Sequence, residues 1–178
     1  MNIPDAEALY RAILEQIRAA YPIGAFGAPD GVAIAGIRSG GAWLAERLAH
    51  DLGAAQWGVV NVALHRDDYA KKGLHSQASP TALPFEVEGR RILLVDDVLH
   101  TGRTVRAALN ELYDYGRPAS VELAVLVDRG GRELPVAARF TGGEAQQLNP
   151  DSTLVLERAD DGRFAMCVEP RIEPRGAH

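Results

Sequence analysis

Apolar residues recur along the chain with two different spacings. Val32 to Ile37, Ile92 to Val95 and Ser120 to Val127 are short, nearly continuous apolar runs, the pattern of strands buried on both faces. Val59 to Leu64 alternates and reads as a further strand. Between these runs the spacing is helical. Leu9, Ile13 and Ile17 follow Pro4-Asp5 and predict a helix to about Ala20. Leu44 and Leu48 predict a second helix stopped by Gly53, and Val105, Ala108, Leu109 and Leu112 a third that ends near Gly116. Short strands near Ala137–Thr141, Thr153–Glu157 and Arg163–Glu169 complete the pattern. Tyr21 to Gly31 is a loop, and Tyr69 to about Glu88 is a long excursion without periodicity, of the kind that tends to be functional or mobile.

Strands alternating with helices imply an α/β fold with a parallel sheet, whose ligands gather outside the carboxyl ends of the strands. The loops after Ile37, Val95 and Val127 lie at such ends and are expected to converge on one site. With 178 residues the chain has room for one domain spanning residues 1–178. No apolar run reaches the ~18–20 residues of a membrane span, and Met1 to Asp5 shows no secretory pattern, so the cytoplasm is the default. Cys167 is the only cysteine, which excludes an internal disulfide and a cysteine-cluster metal site. A net charge of −5 argues against general coating of nucleic acid, although a total says nothing of a local basic face.

The chemistry concentrates in Ile92 to Thr104. Two adjacent acids, Asp96 and Asp97, stand where the apolar run ends, and Thr101-Gly102-Arg103-Thr104 leads into a helix. A small-residue loop at a helix start aims backbone N–H groups and a positive dipole end at one spot, which suits an anion. The acids would repel a bare phosphate, so hydroxyl groups, a metal ion or a developing positive charge suit them better. Arg38-Ser39-Gly40-Gly41, between a strand and a helix, is a second possible anion cradle. The plainer readings are a strand–loop–helix crossover with an acidic turn, and a simple glycine turn.

Acids and phosphate loop together resemble the signature of type I phosphoribosyltransferases, which use 5-phosphoribosyl-1-pyrophosphate (PRPP). The resemblance implies a central parallel sheet flanked by helices, a long flexible active-site loop and a small hood from the terminal segments. It makes Ile92, Leu93, Leu94, Val95, Asp96, Asp97, Val98, Leu99, His100, Thr101, Gly102, Arg103 and Thr104 the PRPP-binding stretch. Within it the acids would hold the ribose hydroxyls and the Thr101–Thr104 loop the 5′-phosphate. Arg38, Ser39, Gly40 and Gly41 would form the pyrophosphate loop, which in such enzymes often contains an unusual peptide bond.

Leu64-His65-Arg66-Asp67-Asp68, Tyr115-Gly116-Arg117-Pro118 and Leu126 to Pro135 narrow the resemblance to the PyrR family of pyrimidine-operon regulators. Members are uracil phosphoribosyltransferases that also bind the messenger RNA of pyrimidine operons. The likeness covers roughly residues 32–141, and one departure falls in the pyrophosphate loop, where Gly40 stands in place of a family arginine and Arg38 could compensate. The implied reaction converts uracil and PRPP to UMP and pyrophosphate, with Mg²⁺ bridging pyrophosphate and ribose hydroxyls mainly through substrate oxygens and water. If β structure continued through Asp96 and Asp97 they would face opposite sides, so the chain must begin to turn there, and their roles are unequal.

Arg66 is the candidate for reaching pyrophosphate, against an ion pair with Asp67 or Asp68, and Lys71 and Lys72 for folding over PRPP, against a solvated charge run. Uracil is expected near Val127, Asp128 and Arg129, read by backbone groups. His100 is a phosphate-side or packing residue rather than a general base; His50, His65, His75 and His178 carry no ligand argument, and Trp43 and Trp57 belong to core or interface. RNA contacts would fall to arginines outside the catalytic loops, with Arg11, Arg18, Arg47, Arg90, Arg91 and Arg106 as candidates, and a homo-oligomer is expected. Two alternatives stay open: an RNA-binding regulator that uses these sites as sensors, and a phosphoribosyltransferase for another base.

Overall fold

The computed structural model describes residues 3–63, 80–145 and 148–171. Helix α1 (Ala6–Ala20) is followed by β1 (Ala33–Ile37), α2 (Gly40–Leu52) and β2 (Trp57–Val60). Then come β3 (Arg91–Leu99), α3 (Arg103–Asp114), β4 (Ser120–Asp128), β5 (Phe140–Glu144), β6 (Ser152–Arg158) and β7 (Phe164–Pro170). The first five strands form one parallel sheet in the order β2-β1-β3-β4-β5. The last two form an antiparallel hairpin, the small hood.

Local chemistry sets the helix ends. The Asp5 carboxylate accepts the N–H groups of Glu7 at 3.0 Å and Ala8 at 3.4 Å, capping α1. Helix α2 stops at Gly53, whose φ of 62° is a left-handed conformation that costs glycine nothing. The central strands are buried on both faces, as their apolar runs foretold. Leu93 and Val95 join Ile13, Ile17, Leu44 and Leu48 on the side of α1 and α2. Ile92 and Leu94 join Val105, Ala108 and Leu112 on the side of α3. Each such leucine, isoleucine or valine withdrawn from water contributes roughly 1.5–3 kcal/mol.

Two strands lie elsewhere than expected. The second ends at Val60 instead of running from Val59 to Leu64. Beyond it, Asn61 N–H donates to Thr81 Oγ1 at 2.9 Å and Ala63 N–H to Asn61 Oδ1 at 2.9 Å, so side chains replace the sheet ladder. The fifth strand is Phe140–Glu144, later than Ala137–Thr141. Its centre is Gly142-Gly143 because α1 lies directly on it, and a Cβ at Gly142 would sit 2.7 Å from the Leu9 carbonyl oxygen. Close backbone approach has replaced the apolar side chains that would have marked the strand.

The hood is fastened by Glu7. Its carboxylate accepts two N–H bonds from the Arg47 guanidinium, at 2.8 and 2.9 Å, and the Phe164 N–H at 2.8 Å. Arg47 also lies over the Tyr10 ring, 4.2 Å from its centroid, and over the Phe164 ring at 5.1 Å. Helix α1 thus joins the sheet to the β6–β7 hairpin. No helix among the described residues is long and apolar enough to cross a membrane.

Candidate active site

Strand β3 does not stop at Val95 but continues through both acids to Leu99. Its pleat is interrupted on the way. Ile92 and Leu94 face the α3 side and Leu93 and Val95 the α1–α2 side, yet Val98 packs toward α1–α2 and Leu99 toward α3. The alternation reverses around Asp97, so a disturbed pleat within a continuing strand stands where a turn was expected. Asp96 Oδ1 accepts the Asp97 N–H at 2.9 Å, and Asp97 Oδ1 accepts the Val98 N–H at 2.9 Å. Side-chain oxygens thus take backbone donors where the regular ladder is disturbed.

The acids end up in unequal places. Asp96 is only 5% exposed and lines a cleft of about 520 Å³. With it lie Val98, Leu99, His100, Thr101, Gly102, Arg103 and Thr104, then Arg129 and Glu133 from beyond β4, and Thr153, Leu154 and Arg171 from the hood. Asp97 is half-buried and rests against Gly40 at the start of α2. Ile92, Leu93, Leu94 and Val95 are core residues that hold this end of the strand in place, with their side chains inside the two apolar layers. Val127 is likewise fully buried, so any contact it makes with a ligand is through its backbone.

The loop after β4 clamps the loop after β3. The Thr101 carbonyl oxygen accepts N–H bonds from Glu133 at 2.9 Å and Leu134 at 3.1 Å. Arg103 pairs with Glu133, Nη2 to Oε2, at 2.6 Å. Arg132 spreads one guanidinium over three acceptors: the His100 carbonyl at 2.9 Å, the Val136 carbonyl at 3.0 Å and Asp128 Oδ2 at 2.5 Å. That guanidinium, more than any other neighbour, holds the Asp128 carboxyl below the usual carboxylate range. His100 Nδ1 donates to the Gly130 carbonyl at 2.8 Å, and its ring packs on Gly131, so it serves as a wall of the cleft. Gly102 has φ of 93°, and a Cβ there would lie 2.5 Å from Val136 Cγ2. The sequence flagged Arg132 and Glu133 as part of a conspicuous run but gave them no task. Only the approach of two loops thirty residues apart in sequence reveals one.

In the second cradle, the Arg38–Ser39 peptide is cis, at the loop where the resemblance implied an unusual bond. Arg38 and Ser39 are exposed, whereas Gly40 and Gly41 are buried against the end of β3. Arg66, Lys71 and Lys72, with His65, His75 and His178, lie outside the described residues. His50 is exposed beside Asp51. Trp43 and Trp57 are half-buried against the α1–α2 core layer. Among the arginines expected to meet RNA, Arg47, Arg18 and Arg90 have structural work. Arg47 holds Glu7, Arg18 donates to the Asp51 carbonyl at 3.0 Å, and Arg90 donates to the Pro29 carbonyl and Gln56 Oε1 at 2.7 and 2.9 Å.

Comparison with known proteins agrees with this geometry. Residues 2–156 match the family described as phosphoribosyl transferase domain. The chain is 61% identical over 171 residues to the "Bifunctional protein PyrR" of Ralstonia nicotianae, covering 94% of this chain and 95% of that one. The chain belongs to the PyrR family of phosphoribosyltransferases. Family members of the same description from Nitrosococcus oceani and Pseudomonas putida are 51% and 43% identical, covering 75% and 90% of this chain and 77% and 96% of theirs. Among solved structures, the hypoxanthine-guanine enzyme of Leishmania tarentolae in complex with GMP superposes with a TM-score of 0.57 at 18% identity, covering 82% of this chain and 81% of that one. A purine phosphoribosyltransferase of Pyrococcus horikoshii gives 0.54 at 20% identity, covering 79% and 83%. At those identities the solved structures establish the shared fold, and the PyrR relatives establish the family.

Proposed function

We propose that this PyrR-family enzyme transfers the phosphoribosyl group of PRPP to uracil, and regulates pyrimidine genes by nucleotide-sensitive binding of messenger RNA. The observation that carries the catalytic half is the cleft in which buried Asp96 and the Thr101–Thr104 loop meet Arg129. One wall offers N–H and hydroxyl donors to a 5′-phosphate, the floor offers a carboxylate to ribose hydroxyls, and the far wall carries Arg129 of the stretch expected near uracil. The regulatory half rests on the PyrR relatives together with the resemblance.

In the reaction, a uracil ring nitrogen forms a bond to the anomeric carbon while the bond from that carbon to pyrophosphate breaks. Pyrophosphate leaves with the electron pair, and the ring nitrogen's proton passes to solvent. Positive charge gathers on the ribose on the way, so catalysis comes mainly from positioning and fixed electrostatics. Asp96 orients the ribose hydroxyls and favours that charge from a water-poor position. Thr101 and Thr104 anchor the 5′-phosphate, held in register by the Glu133 and Leu134 N–H bonds to Thr101. Arg38 and Ser39 receive pyrophosphate, and backbone groups of Val127, Asp128 and Arg129 read the uracil edge. The carboxylates of Asp96 and Asp97 are hard oxygen donors of the kind magnesium prefers, so the residues present fit Mg²⁺ held chiefly by substrate. When bound, the ion neutralises pyrophosphate charge. The test is a screen of PRPP with uracil, hypoxanthine, guanine, adenine and orotate. Turnover with uracil alone supports the proposal, and preference for any other base overturns it.

A further inference from the structure

The sequence marks Gly40 as a missing cation, and the structure gives it a different meaning. A Cβ on Gly40 would lie 2.5 Å from Asp97 Oδ2, 2.9 Å from its Cγ and 3.1 Å from its Cβ. With Asp97 placed as it is here, even a Cβ at position 40 would collide with its carboxylate. Its other oxygen is held in place by the Val98 N–H at 2.9 Å. Gly40 is the first residue of α2, so the carboxylate lies beside the positive end of that helix. Gly41 is equally close to β3, its missing Cβ facing the Val95 carbonyl. Two successive glycines thus let the start of α2 press directly on the strand that carries the acids.

We infer that Gly40 is a positioning residue that seats the Asp97 carboxylate at the mouth of the pyrophosphate loop, where it competes with the incoming pyrophosphate until substrate displaces it. The inference rests on reading Arg38–Gly41 as that loop. A resident carboxylate and an arriving pyrophosphate are like charges in one small space, and they cannot both be favoured by the same helix end. Removing the carboxylate should then improve binding of free pyrophosphate, an effect opposite to that of damaging a site. Pushing it aside from position 40 should do the same.

Calorimetric titration of inorganic pyrophosphate, with magnesium chelated so that no bridging ion offsets the repulsion, tests this with wild type, Asp97→Ala, Gly40→Ala and the double variant. Melting curves identify any variant that has not folded, and Asp97→Ala alone decides the matter if Gly40→Ala fails. The expected result is at least threefold tighter binding in each single variant and no further gain in the double, because both act on one carboxylate. Unchanged or weaker binding in Asp97→Ala overturns the inference, as do independent, multiplying effects in the double variant. PRPP titration of wild type separates the two levels. If wild type binds PRPP but Asp97→Ala gains nothing, only the seat is wrong. If wild type binds neither PRPP nor pyrophosphate, the reading of the loop fails with it.

Discussion

The backbone N–H of Glu133 donates to the Thr101 carbonyl at 2.9 Å, so the loop that follows β4 sets the shape of the loop proposed to receive phosphate. The Glu133 side chain meets Arg103 at the surface, where both partners are about half exposed, and such pairs are worth ~0–1 kcal/mol. The two contributions separate by mutation. Glu133→Ala should leave PRPP affinity and stability almost unchanged. Glu133→Pro removes the donor itself and should weaken PRPP about tenfold or more, roughly 1.4 kcal/mol. Calorimetry on both variants checks it, and equal affinities would contradict the clamp.

Gly102→Val should damage stability and phosphate binding together. The residue sits at φ of 93°, and its Cβ would strike Val136. A β-branched side chain forced into that conformation and contact should cost roughly 2–4 kcal/mol. Chemical denaturation measures the loss, and PRPP titration of the folded fraction should show weakened binding.

Glu7 gives the hood a pH dependence. The hydrogen bonds of Arg47 hold its carboxyl below the ordinary range. Because the folded pKa is depressed, the stabilisation is fully present above the ordinary glutamate value of about 4.3 and is lost as pH falls through the lower folded value. Wild type should therefore melt higher than Glu7→Gln near neutrality, and the two should converge in acid. Melting curves from about pH 7 to pH 3 bracket the ordinary glutamate value, and a gap that stays constant would show that the carboxyl charge is not what secures the hairpin.

For RNA, the useful arginines are those the fold leaves exposed. Arg11 on α1 and Arg91 at the start of β3 qualify; Arg18 is exposed too but donates to the Asp51 carbonyl, and Arg47 and Arg90 tie the chain together. Binding of pyrimidine-operon leader RNA should weaken with salt and respond to UMP. Changing Arg11 and Arg91 to Gln should shallow the salt dependence by roughly 1–2 in logarithmic slope if each meets a phosphate. Filter binding at several salt concentrations, with and without UMP, reads this directly. Affinity no greater than for an unrelated RNA of equal length would leave the enzyme alone.

What the sequence revealed was mostly local. Asp96, Asp97 and Thr101–Thr104 stand within a few residues of one another, so strand, turn and loop were readable as one device. That the chain must be disturbed at the acids was legible too, although the expected turn proved to be a reversal of pleat inside a strand that runs on to Leu99. The clamp was not legible, since Arg132 reaches the His100 carbonyl only after the crossover from β3 through α3 to β4 folds back. The fifth strand was misplaced because glycines, not apolar residues, accommodate α1 at Gly142. Gly40 is a similar case. A missing side chain reads in sequence as a missing charge, whereas in space it is room for Asp97.

The central claim is phosphoribosyl transfer to uracil guided by the two acids at the end of β3. Labelled uracil with PRPP and magnesium, followed to UMP and pyrophosphate in wild type, Asp96→Asn and Asp97→Asn, tests it most directly. Wild type should form UMP and pyrophosphate in equal amounts, and each variant should stay folded while its turnover falls about tenfold or more, ~1.4 kcal/mol in barrier. No UMP from wild type, or wild-type turnover in both variants, would contradict it.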